Sequence, residues 1–127
     1  MIDALDGAPG IYSADWAGSS RNFNKAIEKV EYLMRHKKDL SAKMICVLCL
    51  TWSNKKFKIF KGQMKGKIQF PPRGTKGFGY DPIFIPSIQP FDNKILTYGE
   101  IDPKFKNLNS HRNFAFNKFL DFLTNEK

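Results

Sequence analysis

Met44-Ile45-Cys46-Val47-Leu48-Cys49-Leu50 is the longest apolar run in the chain, and Lys55-Lys56-Phe57-Lys58-Ile59-Phe60-Lys61 lies close behind it. The first segment has the length and composition of a central strand buried on both faces, and falls far short of the ~20 residues of a membrane-crossing helix. In the second, lysines interleave with apolar residues, which predicts a half-buried strand with a solvated lysine face. Thr51 to Asn54 supplies the turn between them. Gly62 and Gly66 punctuate the next stretch, so a further short strand is expected through Ile68 and Phe70, ended by Pro71, Pro72 and Gly74. Cys46 and Cys49 would point to opposite faces of a strand, which predicts two buried thiols in place of a metal or redox pair.

Working outward from this meander, Phe23, Ala26, Ile27, Val30, Leu33 and Met34 recur at helical steps with charged residues opposite, predicting one amphipathic helix capped by Ser19, Ser20 or Asn22. Before it, Gly7, Pro9, Gly10 and Gly18 mark a loop on a defined path, and His36 to Lys43 is expected to be a second loop. Pro82-Ile83-Phe84-Ile85-Pro86 is bracketed by prolines, so it is expected to be a short edge strand or an extended segment at the sheet's end. Ser87 to Tyr98 is loop-like. Asp102-Pro103 then starts a helix, Asp as cap and Pro at the first helical position. Ser110 is a second candidate cap, so the C-terminal part is either one helix or two broken near Asn109. Its stripe Ala115, Phe119, Leu120, Phe122 and Leu123 is expected to face the core.

At 127 residues one domain is expected, residues 1–127. The formal charge of +9 and pI of about 9.6 favour an anionic partner, either nucleic acid or a small phosphorylated molecule. No basic-then-apolar leader precedes Leu5, so a cytoplasmic location without a membrane crossing is expected.

Two further segments carry the chemistry: Arg73-Gly74-Thr75-Lys76-Gly77-Phe78-Gly79-Tyr80-Asp81-Pro82 and Lys106-Asn107-Leu108-Asn109-Ser110-His111-Arg112. The first threads two aromatic rings and a carboxylate between glycines, letting both backbone and rings approach a ligand. The second supplies Lys106, His111 and Arg112 as donors. A helix break at Asn109 would let them converge and put His111 and Arg112 in a first turn, where free amides and the positive dipole end favour electron-rich groups. The combination suits a flat, carbonyl-bearing ring such as a nucleobase.

With Asp6-Gly7-Ala8-Pro9-Gly10-Ile11-Tyr12-Ser13-Ala14 added, these segments form three ordered signatures, and the chain resembles the inosine triphosphate pyrophosphatase family over nearly its whole length. The resemblance implies an α/β fold, a twisted mixed β-sheet flanked by helices, and usually a homodimer. It implies magnesium-dependent hydrolysis of ITP, dITP or XTP to the monophosphate and pyrophosphate. It also implies that Phe78, Gly79, Tyr80, Asp81, Lys106, His111 and Arg112 bind the purine nucleoside triphosphate. The chemistry agrees: a base stacked on an aromatic ring gains roughly 1–3 kcal/mol, and cationic donors favour a 6-keto oxygen over the amino group of adenine. Asp81 either accepts from the ring N1–H or anchors its own loop. Nucleic acid ranks last as a partner, because it leaves these signatures unexplained.

Two departures accompany the resemblance. Asp15 stands where the family usually has a basic residue, and Tyr12 and Ser13 are expected to shape a loop or a dimer contact. Family members also begin earlier, with a phosphate-binding segment and an acidic stretch that supplies the catalytic Asp and the metal ligands. The expectation is therefore a partial domain lacking the N-terminal part of the family fold, with no catalytic or metal-binding residue carried over to this chain. Asp3 and Asp6 align after the catalytic acid. A degraded gene, a mis-assigned start and a split enzyme complemented by an N-terminal fragment are the three origins considered.

Overall fold

The structure, a computed structural model, describes residues 1–53 and 55–125. Three short 3₁₀ turns, Asp3–Leu5, Gly10–Tyr12 and Asp15–Ala17, give the N-terminal loop its defined path. Helix α1, Phe23–Met34, buries Ala26, Ile27, Val30 and Met34. Of the candidate caps it is Asn22 that works, its side-chain oxygen accepting from the Asn24 amide at 3.1 Å.

An antiparallel sheet comes next, in the order β1 (Ser41–Trp52), β2 (Lys56–Ile68) and β3 (Phe84–Pro86). Together with the helices it forms the expected α/β architecture. Of the proline-bracketed segment, Phe84–Pro86 forms the short edge strand, pairing with Gly66–Ile68, while Asp81–Ile83 before it is a 3₁₀ turn.

Several expectations are corrected. The run Met44–Leu50 lies within β1, which among the described residues is at a sheet edge and not at its centre. Its pairing on the outer side is limited to the start, where Ile2 bridges Ala42 and Met1 exchanges hydrogen bonds with Lys43. Val47 is accordingly 55% exposed, and Cys49 is exposed instead of buried. The segment expected to be a loop up to Lys43 already contributes Ser41 to the strand. The turn assigned to Thr51–Asn54 includes Asn54, which lies outside the described residues.

Gly62 and Gly66 do not divide two strands; β2 runs through both. Their role is close approach. A Cβ at Gly62 would collide with the His111 carbonyl oxygen, and one at Gly66 with the Ile85 carbonyl oxygen. The missing side chains thus let the C-terminal helix and β3 lie against β2. Around Gly62, Phe60 meets Phe119 and Phe122 at 5.6 Å between ring centroids, and Ala115 is fully buried. The lysines of β2 are exposed, but the expected division into a lysine face and an apolar face is not met: Lys56 and Lys58 share the face of Phe60 and Met64, while Phe57 and Ile59, 63% and 55% exposed, lie with Lys61, Lys65 and Lys67 on the other.

The C-terminal part is two helices, α2 (Pro103–Leu108) and α3 (His111–Asn125). Asp102 caps the first, accepting from the Lys104 amide at 2.9 Å, and Ser110 Oγ accepts from the Asn113 amide in the second. Leu120 and Leu123 leave the expected core stripe, at 42% and 48% exposure. The core gathers Ile2, Ile27, Val30, Met64, Ile68, Ile83, Phe84, Tyr98 and Ile101 between α1 and the sheet.

Candidate base-recognition site

The glycine-rich loop is folded around one carboxylate. Asp81 is 3% exposed, and its Oδ2 accepts from the Phe78 amide at 2.9 Å and from Lys106 Nζ at 2.6 Å. Gly77 has φ +73° and stands so close that a Cβ there would meet Asp81 Oδ2. Glycine is therefore required twice over, by conformation and by space. Of the two roles foreseen for Asp81, anchoring its own loop is what Oδ2 does.

The break between α2 and α3 brings Lys106, His111 and Arg112 to the same cavity of about 720 Å³ as Phe78, Gly79, Tyr80 and Asp81. Every residue expected to bind substrate lines it. Phe78 is 60% exposed, and two cations attend it: Lys106 Nζ at 4.8 Å and the Arg112 guanidinium at 4.7 Å from the ring centroid. Such contacts hold the ring without burying it. Lys106 Nζ also lies 5.1 Å from the Tyr98 ring, so the ammonium sits among two aromatic rings and a carboxylate.

His111 is buried in the first turn of α3 with its Nδ1 unpaired. Burial, then the charges of Arg112 and Lys106, push its pKa down to about 4. The ring is thus neutral at neutral pH and offers one donor and one acceptor. Tyr80 is a support: its hydroxyl donates to the Ser13 carbonyl at 2.7 Å, and its ring meets Phe23 edge-on at 5.5 Å. Burial raises its pKa to about 12. Ser13 thereby fastens the N-terminal loop to the glycine-rich loop, while Tyr12 and Ile11 stay exposed. Asp15 pairs with Arg21 at 3.7 Å on the surface.

Reading the sequence missed Tyr98, whose hydroxyl is buried and unpaired behind Lys106, and missed Thr97 and Glu100, which hold the loop from outside at Arg73. A signal was present: Thr97-Tyr98-Gly99-Glu100 has the spacing of a capping box, and the Glu100 side chain does reach back to the Thr97 amide.

Carboxylates do not gather here. Among the described residues no three His, Cys, Asp or Glu side chains are placed to hold a metal ion, and Asp81, the one acid lining the cavity, is bound to an ammonium. This donor set does not fit magnesium, which takes carboxylates and water in a near-octahedral shell.

Residues 1–122 match the model of the Ham1 family. The chain belongs to the Ham1 family. Among its relatives, the dITP/XTP pyrophosphatase of Rhodospirillum centenum is 45% identical across 94% of this chain and 58% of its own, and that of Agrobacterium fabrum 40% identical across 95% and 62%. The solved Ham1 protein of Staphylococcus aureus superposes with a TM-score of 0.88 at 35% identity, covering 99% of this chain and 63% of its own. A HAM1 protein from Coxiella burnetii gives 0.86 at 36% identity, covering 98% and 62%. The chain therefore spans about three-fifths of the Ham1 proteins it matches. No helix among the described residues is long and apolar enough to cross a membrane.

Proposed function

We propose that this chain recognises the base of a 6-keto purine nucleoside triphosphate, ITP, dITP or XTP, and acts in its hydrolysis to the monophosphate and pyrophosphate. The observation that carries this reading is the convergence of Phe78, Asp81, Lys106, His111 and Arg112 on one cavity. The purine stacks on Phe78. Its 6-keto oxygen accepts from Arg112, Lys106 or the N–H of neutral His111, and its N1–H donates to Asp81 Oδ1. Adenine, with an amino group at position 6 and no proton on N1, would meet donors with a donor and leave Asp81 unanswered. The pyrophosphatase names of the relatives support the reaction.

Removal of such triphosphates from the cytoplasmic nucleotide pool by a homodimer is the setting the family resemblance suggests. Magnesium enters as a component of the assay, since no step is assigned to it through these residues. The test is pyrophosphate release from ITP, XTP and ATP with Mg²⁺, by the chain alone and with an N-terminal fragment of a Ham1 relative supplied. Release from ITP and XTP but not ATP is expected in at least one arrangement; none in either defeats the catalytic part of the proposal.

A second reading has its own observation. Because Asp81 is the one acid of the cavity among the described residues and is held by Lys106, the chain by itself can be a nucleotide-binding protein without hydrolytic activity. It then binds inosine nucleotides without needing a metal, and Phe78→Ala or Arg112→Ala weakens that binding.

A further inference from the structure

The glycine-rich loop is gripped at both ends by a short segment that has no place in the cavity. Thr97 to Gly99 are buried although they belong to no helix or strand, an arrangement that requires their polar groups to be answered. Three of those groups are answered by the loop. The Gly99 amide donates to the Asp81 carbonyl at 3.0 Å, and the Lys76 amide to the Gly99 carbonyl at 2.8 Å. Thr97 Oγ1 donates to the Arg73 carbonyl at 2.7 Å. One oxygen of Glu100 accepts from the Thr97 amide at 3.0 Å and faces Arg73 Nε at 3.2 Å, close enough to pair but off the line of a hydrogen bond. Arg73 also donates through Nη2 to the Ile95 carbonyl at 3.0 Å.

Space reinforces these bonds. A Cβ on Gly74, at φ +90°, would run into the Gly99 carbonyl, and one on Gly99 would come within 2.5 Å of the Arg73 carbonyl oxygen and 3.0 Å of Pro82 Cα. The two strands of backbone are thus in contact with nothing between them. Neither Thr97 nor Glu100 lines the cavity. Their influence on it runs through the Gly99–Asp81 bond at one end of the loop and Arg73 at the other, with Asp81 in turn holding the Phe78 amide and Lys106.

We infer that Thr97 and Glu100 are positioning residues that set base selectivity from outside the cavity, by fixing the 73–82 loop so that Phe78 and Asp81 face the ring together. This rests on the base-recognition reading above. Residues that touch only the loop cannot favour one base over another directly. A loop freed at its ends loses the simultaneous stacking and N1–H contact, so the preference for inosine falls more than the affinity for adenosine nucleotides.

Two readouts on the full chain separate this inference from the reading beneath it. The first is amide hydrogen exchange without ligand. Thr97→Val and Glu100→Ala should each speed exchange at Phe78 and Gly99 at least tenfold while the amides paired between β1 and β2 keep their rates; Thr97→Ser and Glu100→Gln, which retain the oxygen, should restore slow exchange. The second is the ratio of ITP to ATP affinity, expected to fall at least fivefold in the first two variants and to stay near that of the unaltered chain in the restoring two. Unchanged exchange at Phe78, or acceleration spread equally through β1 and β2, overturns the inference. So does an intact affinity ratio in both Thr97→Val and Glu100→Ala. Should the unaltered chain show no preference for ITP, base recognition fails and the inferred selectivity role with it, while the exchange data still report whether the Thr97–Glu100 segment holds the loop.

Discussion

Asp81 and Lys106 show how little freedom a single side chain has here. Their side chains are 5% and 10% exposed and 2.6 Å apart, so removing one strands the other as a buried charge. Asp81→Ala is expected to cost about 3–5 kcal/mol of folding stability, the usual penalty of breaking a buried pair, and Asp81→Asn less, because its oxygen can still receive the Phe78 amide. Denaturant unfolding measures both. Gly77→Ala should be nearly as informative, costing about 1–3 kcal/mol for its left-handed backbone and displacing Asp81 Oδ2 as well. His111 gives a pH signature. In the unfolded chain it takes up a proton near pH 6.5, in the folded chain only near 4, so its contribution to stability is complete above about 6.5 and is lost as pH falls toward 4. The slope of unfolding free energy against pH between those values should flatten in His111→Gln. The cavity-lining residues of the two segments were legible in the sequence because glycine, aromatic and cationic residues stood together; Tyr98 was not, because a buried tyrosine reads like any core residue.

Elements were legible where their punctuation was local. The Asp102-Pro103 start and the Ser110 cap announced α2 and α3, and the break between them is what brings Lys106 beside His111 and Arg112. The glycines of β2 misled because a glycine in a strand has two meanings, an end or a close neighbour, and the neighbour is far away in sequence. Gly62→Ala should therefore behave as overpacking. Pushing α3 off β2 at the His111 carbonyl is expected to cost about 1–3 kcal/mol or more and to weaken nucleotide binding, since His111 and Arg112 begin that helix. Thermal unfolding and nucleotide titration of one variant check both halves; a binding loss without a stability loss would contradict the packing account. The central position expected for β1 failed for a similar reason: an apolar run reports that a strand is apolar, not which neighbours it has.

At the scale of the whole molecule, a three-stranded antiparallel sheet with α3 against β2 and α1 in the core carries a loop and a helix start to one cavity. That cavity also takes in Met1, Ile2, Met44, Ile45 and Val47, so it extends well beyond the polar corner assigned to the base. Charge does not explain the site: the lysines of β2 are solvated and line no part of the cavity, while its polar corner holds Lys106 paired with Asp81 and Arg112 over the Phe78 ring. The family was legible from three ordered segments, and the supports that connect them were not, because they join residues through backbone carbonyls that any sequence provides. The most direct test is calorimetric titration of the folded chain with ITP and with ATP at the same pH and salt. The account predicts that ITP binds at least tenfold more tightly and that Phe78→Ala or Arg112→Ala removes the difference; equal affinities for the two nucleotides, or no binding of ITP, would contradict it.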